Sequence, residues 1–269
     1  MKIRKLVERS SEIFMANRKM LFIVFLYIAI MHMLISEIGT VLGGLFTLMA
    51  LFIVAPLYHG RITASYKVIK QDAPLDIRMD GLCGFVRFKE LFSTYGWIEL
   101  INLILLYLAL FGIYALVLGE TNVLGLEASL LSGKVSEIAL YRVVQILYLI
   151  ALAADLVIRW LTNLFFFAAP YLLETRQIRG LASLKASVRL MRGHKRDLFL
   201  LQLRFLAPAA ICFFLNYFSA YYLSAWLYSF AGLAITLLEI YLYQAQYQVA
   251  LVLFFEQIKE EVQDEFNEI

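Results

Sequence analysis

Apolar positions in this chain run together rather than alternating or repeating at short intervals. Long uninterrupted stretches occupy about Met20–Ile35, Val41–Tyr58, Tyr95–Val117, Ile138–Tyr171, Leu198–Leu223 and Leu227–Phe255, each of which reads as a membrane span, the first by borrowing residues on either side. A transmembrane barrel would show short alternating segments instead, and there are none. The pattern predicts an all-α polytopic membrane helix bundle of about six transmembrane helices, forming a single integral membrane domain over residues 1–269.

The first two runs are separated only by Ser36–Thr40 and form a predicted helical hairpin. The fourth run is too long for one straight span. At 1.5 Å per residue it would reach roughly 50 Å against a hydrocarbon core of about 30 Å, so it is expected to project outward or bend. Pro208 is expected to kink the fifth run, because it removes a helix donor and crowds the preceding turn. Tyr221, Tyr222, Trp226 and Tyr228 lie between the last two runs and read as an outer interface belt. With no convincing small-residue cleavage site in 36–45, the first run reads as a retained helix rather than a removed signal.

Two polar connectors interrupt this pattern, 59–94 and 172–197. Neither can span. Residues 1–19 carry an apolar side (Ile3, Leu6, Val7, Ile13, Phe14) that predicts a helix lying on the membrane surface. The segment GFVRFKELF leads into the third run as a second short interfacial helix. In the second connector, Leu181, Leu184, Val188 and Met191 fall on one side of a predicted helix, with basic residues on the other.

Composition agrees: 62% of residues are hydrophobic and 17% charged, against roughly half and a quarter in a soluble domain. The net charge of +3 matters less than its placement. Residues 1–19 hold six Lys or Arg, 59–94 six, 172–197 seven, and the C-terminal segment Lys259, which is 20 of 24. Lys134 is the one basic residue in the loop 118–137. The positive-inside rule then puts both termini and both connectors in the cytoplasm. Cys83 and Cys212 are far apart, so neither a disulfide nor a metal site is expected.

A faint internal echo runs along the chain. Ala55-Pro56-Leu57-Tyr58 and Ala169-Pro170-Tyr171 each precede a basic connector, which ends in Lys89-Glu90-Leu91-Phe92 or Arg196-Asp197-Leu198-Phe199. A parallel duplication or ordinary helix-border composition both account for it.

Ionisable groups at bilayer depth are the default place to look for function. Gln145, Tyr148, Asp155, Arg159 and Asn163 fall within about 80° of one another on a helix. Thr236, Glu239, Tyr243, Gln246 and Tyr247 make a comparable stripe in the sixth run. Asp155 and Glu239 each lie sixteen residues from the cytoplasmic end of their run, so Arg159 is expected to pair with Glu239 across the bundle. The hypothetical intramembrane site is therefore Asp155, Arg159, Glu239, Tyr243 and Gln246. Buried pairs that fix helix register, and a polar cavity for a solute, ion or headgroup, are the two readings. Glu99 and Arg204 are a second, shallower candidate pair.

In the second connector Arg189, Arg192, His194, Lys195 and Arg196 are candidate contacts for anionic headgroups or a partner. The acidic C-terminal segment Glu260–Glu265 is another candidate occupant.

Recognisable chemistry is missing. No phosphate-binding glycine loop, dinucleotide fingerprint, HExxH helix or GxSxG elbow occurs, and His32, His59 and His194 are scattered. No catalytic residue, metal or cofactor is assigned. Membrane lipids, another membrane protein and a second copy of the chain are the candidate partners, and nucleic acid is not, because the bilayer explains the basic segments. The expected role is a non-catalytic accessory, immunity or regulatory membrane component. The alternative is a small secondary transporter or channel.

The run Ser187-Val188-Arg189-Leu190-Met191-Arg192-Gly193-His194-Lys195, followed by Leu198-Phe199 and a long apolar stretch, resembles the bacterial membrane family known as domain of unknown function 975. Pro56-Leu57 with Gly60, and then Gly84-Phe85, resemble its earlier half. At Phe205-Leu206-Ala207-Pro208 the family pattern has Gly-Trp instead. The resemblance implies a six-helix protein of the plasma membrane of Gram-positive bacteria and no established activity.

Overall fold

A computed structural model of the protein describes residues 3–42, 53–54, 56–71, 74–120 and 137–261. These are overwhelmingly helical, with no strand among them. Three stretches are long and apolar enough to cross a membrane: Ile3–Ile35, Phe88–Ile113 and Leu149–Arg176. A fourth is added if the bent pair Lys195–Arg204 and Leu206–Ser219 is counted as one. The chain divides into two compact units, Met1–Gly96 with Phe165–Ile269, and Trp97–Leu164.

Helix α1 runs Ile3–Leu42. Asn17 leaves helical geometry (φ −117°, ψ 15°), and its side-chain amide donates to the Ile13 carbonyl at 3.1 Å. Asparagine competes with the backbone in this way, and the kink falls between the predicted surface segment and the predicted first span. The expected break at Ser36–Thr40 is absent: those residues are helical. Their polarity is no obstacle to the ladder, and the single Gly39 costs only about 1 kcal/mol. The second predicted span lies mostly outside the described residues.

The first connector is a core element rather than a surface loop. Helix α2 (His59–Lys70) buries His59, Gly60, Ile62, Thr63, Ala64, Ser65, Tyr66 and Val68, and packs against α1 and the last helix of the chain. Two short helices follow, α3 (Ile77–Gly81) and α4 (Cys83–Val86). Asp76 caps α3 by accepting from the Arg78 and Met79 amides at 2.8 and 3.1 Å. Buried Asp80 is held by Lys67 at 2.7 Å and by the Asp76 amide at 2.9 Å. Helix α5 then spans Phe88–Glu120.

The long fourth run is interrupted near its end. Helix α6 covers Glu137–Phe166, the backbone turns at Phe167 and Ala168, and α7 covers Ala169–Arg176 with Pro170 in its first turn, where proline is tolerated. Helix α8 (Gly180–Leu190) lies in the second connector, and α9 (Lys195–Arg204) leads from its end into the fifth apolar run. Phe205 separates α9 from α10 (Leu206–Tyr222), with a bend of 55°. That is the turn a proline at 208 disrupts, since its ring crowds the carbonyl four residues back.

The last apolar run carries an irregularity that hydropathy does not announce. Helix α11 (Ala225–Glu239) passes into a π-helical turn, Ile240–Gln244, before α12 (Ala245–Glu261).

Within the first unit, burial and exposure fall on different stretches. Val249, Val252, Phe255 and Ile258 of α12 are enclosed, together with Leu21, Phe25 and Ile28 of α1, Leu172 and Leu190 of the second connector, and Leu198 of α9. Each such side chain contributes about 1.5–3 kcal/mol by leaving water. Large exposed apolar residues concentrate instead in α10, α11 and the π turn, from Leu206 to Leu242. Tyr221 and Tyr222, 74% and 73% exposed, lie where an interface belt was expected.

Candidate functional site

The densest polar arrangement joins the two connectors, and it starts from a close backbone crossing. A Cβ on Gly84 would collide with Leu57 Cα and the Pro56 carbonyl, and one on Gly60 would collide with the Asp80 carbonyl. Glycine at these positions lets α2 meet α3 at Asp80, and lets α4 meet the chain at Pro56-Leu57 just ahead of α2, main chain to main chain. These contacts carry His59 inward.

His59 is fully enclosed and engaged at both ring nitrogens. Nδ1 lies 3.0 Å from the Tyr95 hydroxyl and Nε2 lies 3.0 Å from Glu174 Oε2. Burial holds the ring below its ordinary pKa, against the pull of the Glu174 hydrogen bond and charge. A neutral ring beside a carboxylate has one consistent arrangement: Nε2–H donates to Glu174, and the Tyr95 hydroxyl donates to Nδ1.

The chain of contacts continues toward the surface. Arg87 donates to the same Glu174 oxygen at 2.6 Å and to Glu90 Oε2 at 3.2 Å. Arg179, in the second connector, donates to Glu90 Oε1 at 3.0 Å. Burial opposes the Arg87 charge, but the flanking carboxylates outweigh it and keep the group above its ordinary value. Cys83 lies 3.5 Å from the Thr63 hydroxyl. Burial pushes its thiol up, so it stays protonated rather than becoming a nucleophile.

The basic motif of the second connector resolves into structural parts. Ser187 Oγ accepts from the Ala168 amide at 3.1 Å and donates to the Phe165 carbonyl at 2.9 Å, so it satisfies both sides of the break between α6 and α7. Met191 is wholly buried. Gly193 has φ +86°, a conformation that disfavours any side chain. The Lys195 ammonium sits 3.4 Å from the centre of the Phe165 ring. On α8 the expected apolar face is rotated: Leu181 is exposed, while Ser183, Leu184, Ser187 and Leu190 are buried. Serine hydroxyls reach the inside here because each has a partner. Ser183 donates to the Gly180 carbonyl at 2.7 Å and approaches Thr94 at 3.4 Å.

The basic residues assigned to headgroup or partner contact divide in the same way. Arg189, Arg192 and Arg196 are exposed. Lys195 is taken up by Phe165, and His194 Nδ1 lies 3.9 Å from Glu261 Oε2, where the acidic segment begins. Residues 262–269 lie outside the described residues.

The intramembrane candidates fall into two clusters, one in each unit. Arg159 is held by Asp155 (2.9 and 3.0 Å) and by Glu99 (2.8 and 3.0 Å). It therefore has two carboxylate partners, as expected, but the second is Glu99 and not Glu239. Thr162 donates to Asn102 at 2.7 Å one turn further along. Glu99 is thus occupied by Arg159, and Arg204 is exposed. The side chains of Gln145 and Tyr148 lie outside the described residues.

Glu239 is half-buried at the end of α11. It accepts from Gln244 Nε2 at 2.7 Å, a contact made across the π turn. Arg61 reaches toward it from α2 and acts electrostatically on both Glu239 and Tyr243. The Arg61 guanidinium lies over the Tyr58 ring at 4.3 Å and the Phe25 ring at 5.4 Å, and its Nε has no hydrogen-bond partner among the described residues. Tyr58 in turn bonds His32 Nδ1 at 2.8 Å. Gln246 is half-buried in α12. Arg61, Tyr58 and His32 join Glu239 only through tertiary contact; a basic residue three positions after Tyr58 was the one local hint.

No group of metal-ligating side chains occurs among the described residues. No curated protein and no solved structure matches the chain. A family model does, over residues 3–262, and that span includes Gly60, Gly84 and the Ser187–Lys195 run whose structural duties are described above. The chain belongs to the family described as protein of unknown function DUF975.

Proposed function

We propose that the protein is a six-span integral membrane protein of the bacterial plasma membrane with both termini cytoplasmic. On this reading it works without catalysis, as an accessory, immunity or regulatory component acting with another membrane complex or with lipid. The observation that supports it is the closed polar network of the connectors. His59, Glu174, Arg87 and Glu90 are consumed by one another, and the buried Cys83 is a protonated thiol. These groups brace a scaffold, each engaged by a neighbour of opposite charge or by a hydrogen bond. Exposed apolar surface on α10 and α11 supplies the lipid- or partner-facing side.

Gentle detergent extraction followed by identification of copurifying lipid and protein tests this reading. The expected result is a specific lipid or membrane-protein companion. Purification alone, together with solute movement across reconstituted vesicles, would overturn it.

A second reading, a small secondary transporter or channel, draws on Arg159. Its side chain is 36% exposed and lies between two carboxylates inside a candidate span, an arrangement suited to a passing ion. In that case vesicle flux appears and is lost in Arg159→Gln.

A further inference from the structure

The second connector ends in a block of charge that the packing leaves largely unused. From Thr175 to Arg196 the chain carries seven Lys or Arg and no acid. Lys195 is taken up by the Phe165 ring. Lys185, Arg189, Arg192 and Arg196 are exposed and have no ion-pair partner among the described residues. Lys185 and Arg189 stand one turn apart on α8, and Arg192 and Arg196 follow in the turn into α9. Asp197, exposed next to Arg196, marks the edge of this basic face.

Two contacts lay that face beside the end of the last helix. Phe205, at the end of α9, packs on Tyr247 of α12 with ring centres 5.1 Å apart. At the other end of both helices, His194 Nδ1 lies 3.9 Å from Glu261 Oε2. Helices α9 and α12 therefore run alongside one another in opposite directions, and α12 delivers the chain to the turn between α8 and α9. Residues 262–269 follow, with Asp264, Glu265 and Glu268 and no base. Fully extended, they reach up to about 27 Å, more than the roughly 16 Å length of α8.

Helix α1 also packs against α12 and is basic at its start, but its charges are offset. Arg4, Lys5 and Arg9 are interspersed with Glu8 and Glu12, and Glu8 already accepts from Arg4 at 2.8 Å. The face at α8 and α9 has no such internal compensation. A single exposed ion pair is weak. Several of them on a segment tethered at the edge of the face act at high effective concentration. We propose that the acidic segment 262–269 docks on this face, its carboxylates on Arg189, Arg192 and Arg196, and so occupies the surface that anionic headgroups would otherwise take. The inference goes beyond the accessory-component reading and does not depend on the number of spans.

The test is a distance measurement on the full chain in phosphatidylcholine nanodiscs, with Cys83→Ala and Cys212→Ala as the background. Nitroxide labels at Ala182→Cys, exposed on α8, and at Phe266→Cys report their separation by pulsed electron paramagnetic resonance. Docking is expected to give one short, narrow distance. Neutralising the segment (Asp264→Asn, Glu265→Gln, Glu268→Gln) or the face (Arg189→Gln, Arg192→Gln, Arg196→Gln) is expected to abolish that peak, and high salt to weaken it. Exchanging the charges is expected to restore it: Arg189→Glu, Arg192→Glu and Arg196→Glu combined with Asp264→Lys, Glu265→Lys and Glu268→Lys. In phosphatidylglycerol nanodiscs the headgroups compete for the face, and the short distance is expected to lose population. A broad distribution for the unneutralised chain, or a narrow one that survives both neutralisations, overturns the inference. So does a peak lost in Lys5→Gln with Arg9→Gln, which would put the segment on α1, or one indifferent to phosphatidylglycerol. Should the arginine variants fail to fold, the segment variant and the salt dependence still decide.

Discussion

His59 and Arg87 meet on a single oxygen of Glu174, at 3.0 and 2.6 Å, although 115 residues separate the histidine from the glutamate. Both connectors are thereby tied to one carboxylate. Removing it with Glu174→Ala leaves a guanidinium and a ring N–H without their acceptor. A fully buried pair broken this way costs about 3–5 kcal/mol. Arg87 is 30% exposed, so the expected loss is smaller, about 2–3 kcal/mol, read from denaturant unfolding in detergent. Glu174→Gln, which keeps one acceptor oxygen, should lose less. Equal stability of Glu174→Ala and wild type would show that the connectors are held by apolar packing alone.

The same cluster sets a pH dependence with a definite sign. Burial holds His59 below the value of about 6.5 expected for an exposed histidine. As pH falls, the unfolded chain takes up the proton first, so stability is complete above about pH 6.5 and declines as pH drops toward the folded value. Wild type should unfold at progressively lower temperature between about pH 6.5 and 5. His59→Gln should show a shallower slope over that window, and an unchanged slope would assign the effect to other groups.

Gly84 offers a test of the backbone crossing. Ala in its place drives a methyl into Leu57 and the Pro56 carbonyl, neither of which can rotate aside. The expected cost is about 1–3 kcal/mol, as for other overpacked sites. Gly112→Ala is the control. Its Cβ meets nothing within 4 Å in α5, so it should be neutral or stabilising by up to about 1 kcal/mol. Similar unfolding of the two variants would argue against close approach as the reason for glycine at 84.

These elements differ in how far the sequence foretells them, and the differences have physical causes. Pro208 demanded a bend in the fifth run, and one of 55° occurs; the fourth run, expected to project outward or bend, is interrupted at Phe167 and Ala168. The Ser187–Lys195 run was legible as a motif, but its parts were not. A serine counts as polar in any periodicity argument, yet Ser187 is buried because the break at Phe167–Ala168 supplies it with partners. That misplaced the inner face of α8. His59, Tyr95 and Glu174 come from three separate segments, and nothing local to any of them announces the others. Gly60 and Gly84 were the available signal, since glycine in a polar connector often marks two backbones in contact. Arg159 is held by Glu99 as well as Asp155, and counting depth from run ends carries no signal for that pairing. The π turn at Ile240–Gln244 leaves no mark on hydropathy.

The central claim is that charge asymmetry lays both connectors on the cytoplasmic side, where they fold together as the scaffold just described. Cysteine labelling in intact cells tests it most directly. Cys83 and Cys212 are replaced by alanine, and single cysteines are placed at Lys134 and, in the second connector, at Lys185, which is exposed on α8. A membrane-impermeant maleimide is expected to label the position-134 variant in intact cells and the position-185 variant only after permeabilisation. Labelling of position 185 in intact cells, with position 134 protected until permeabilisation, would contradict the account.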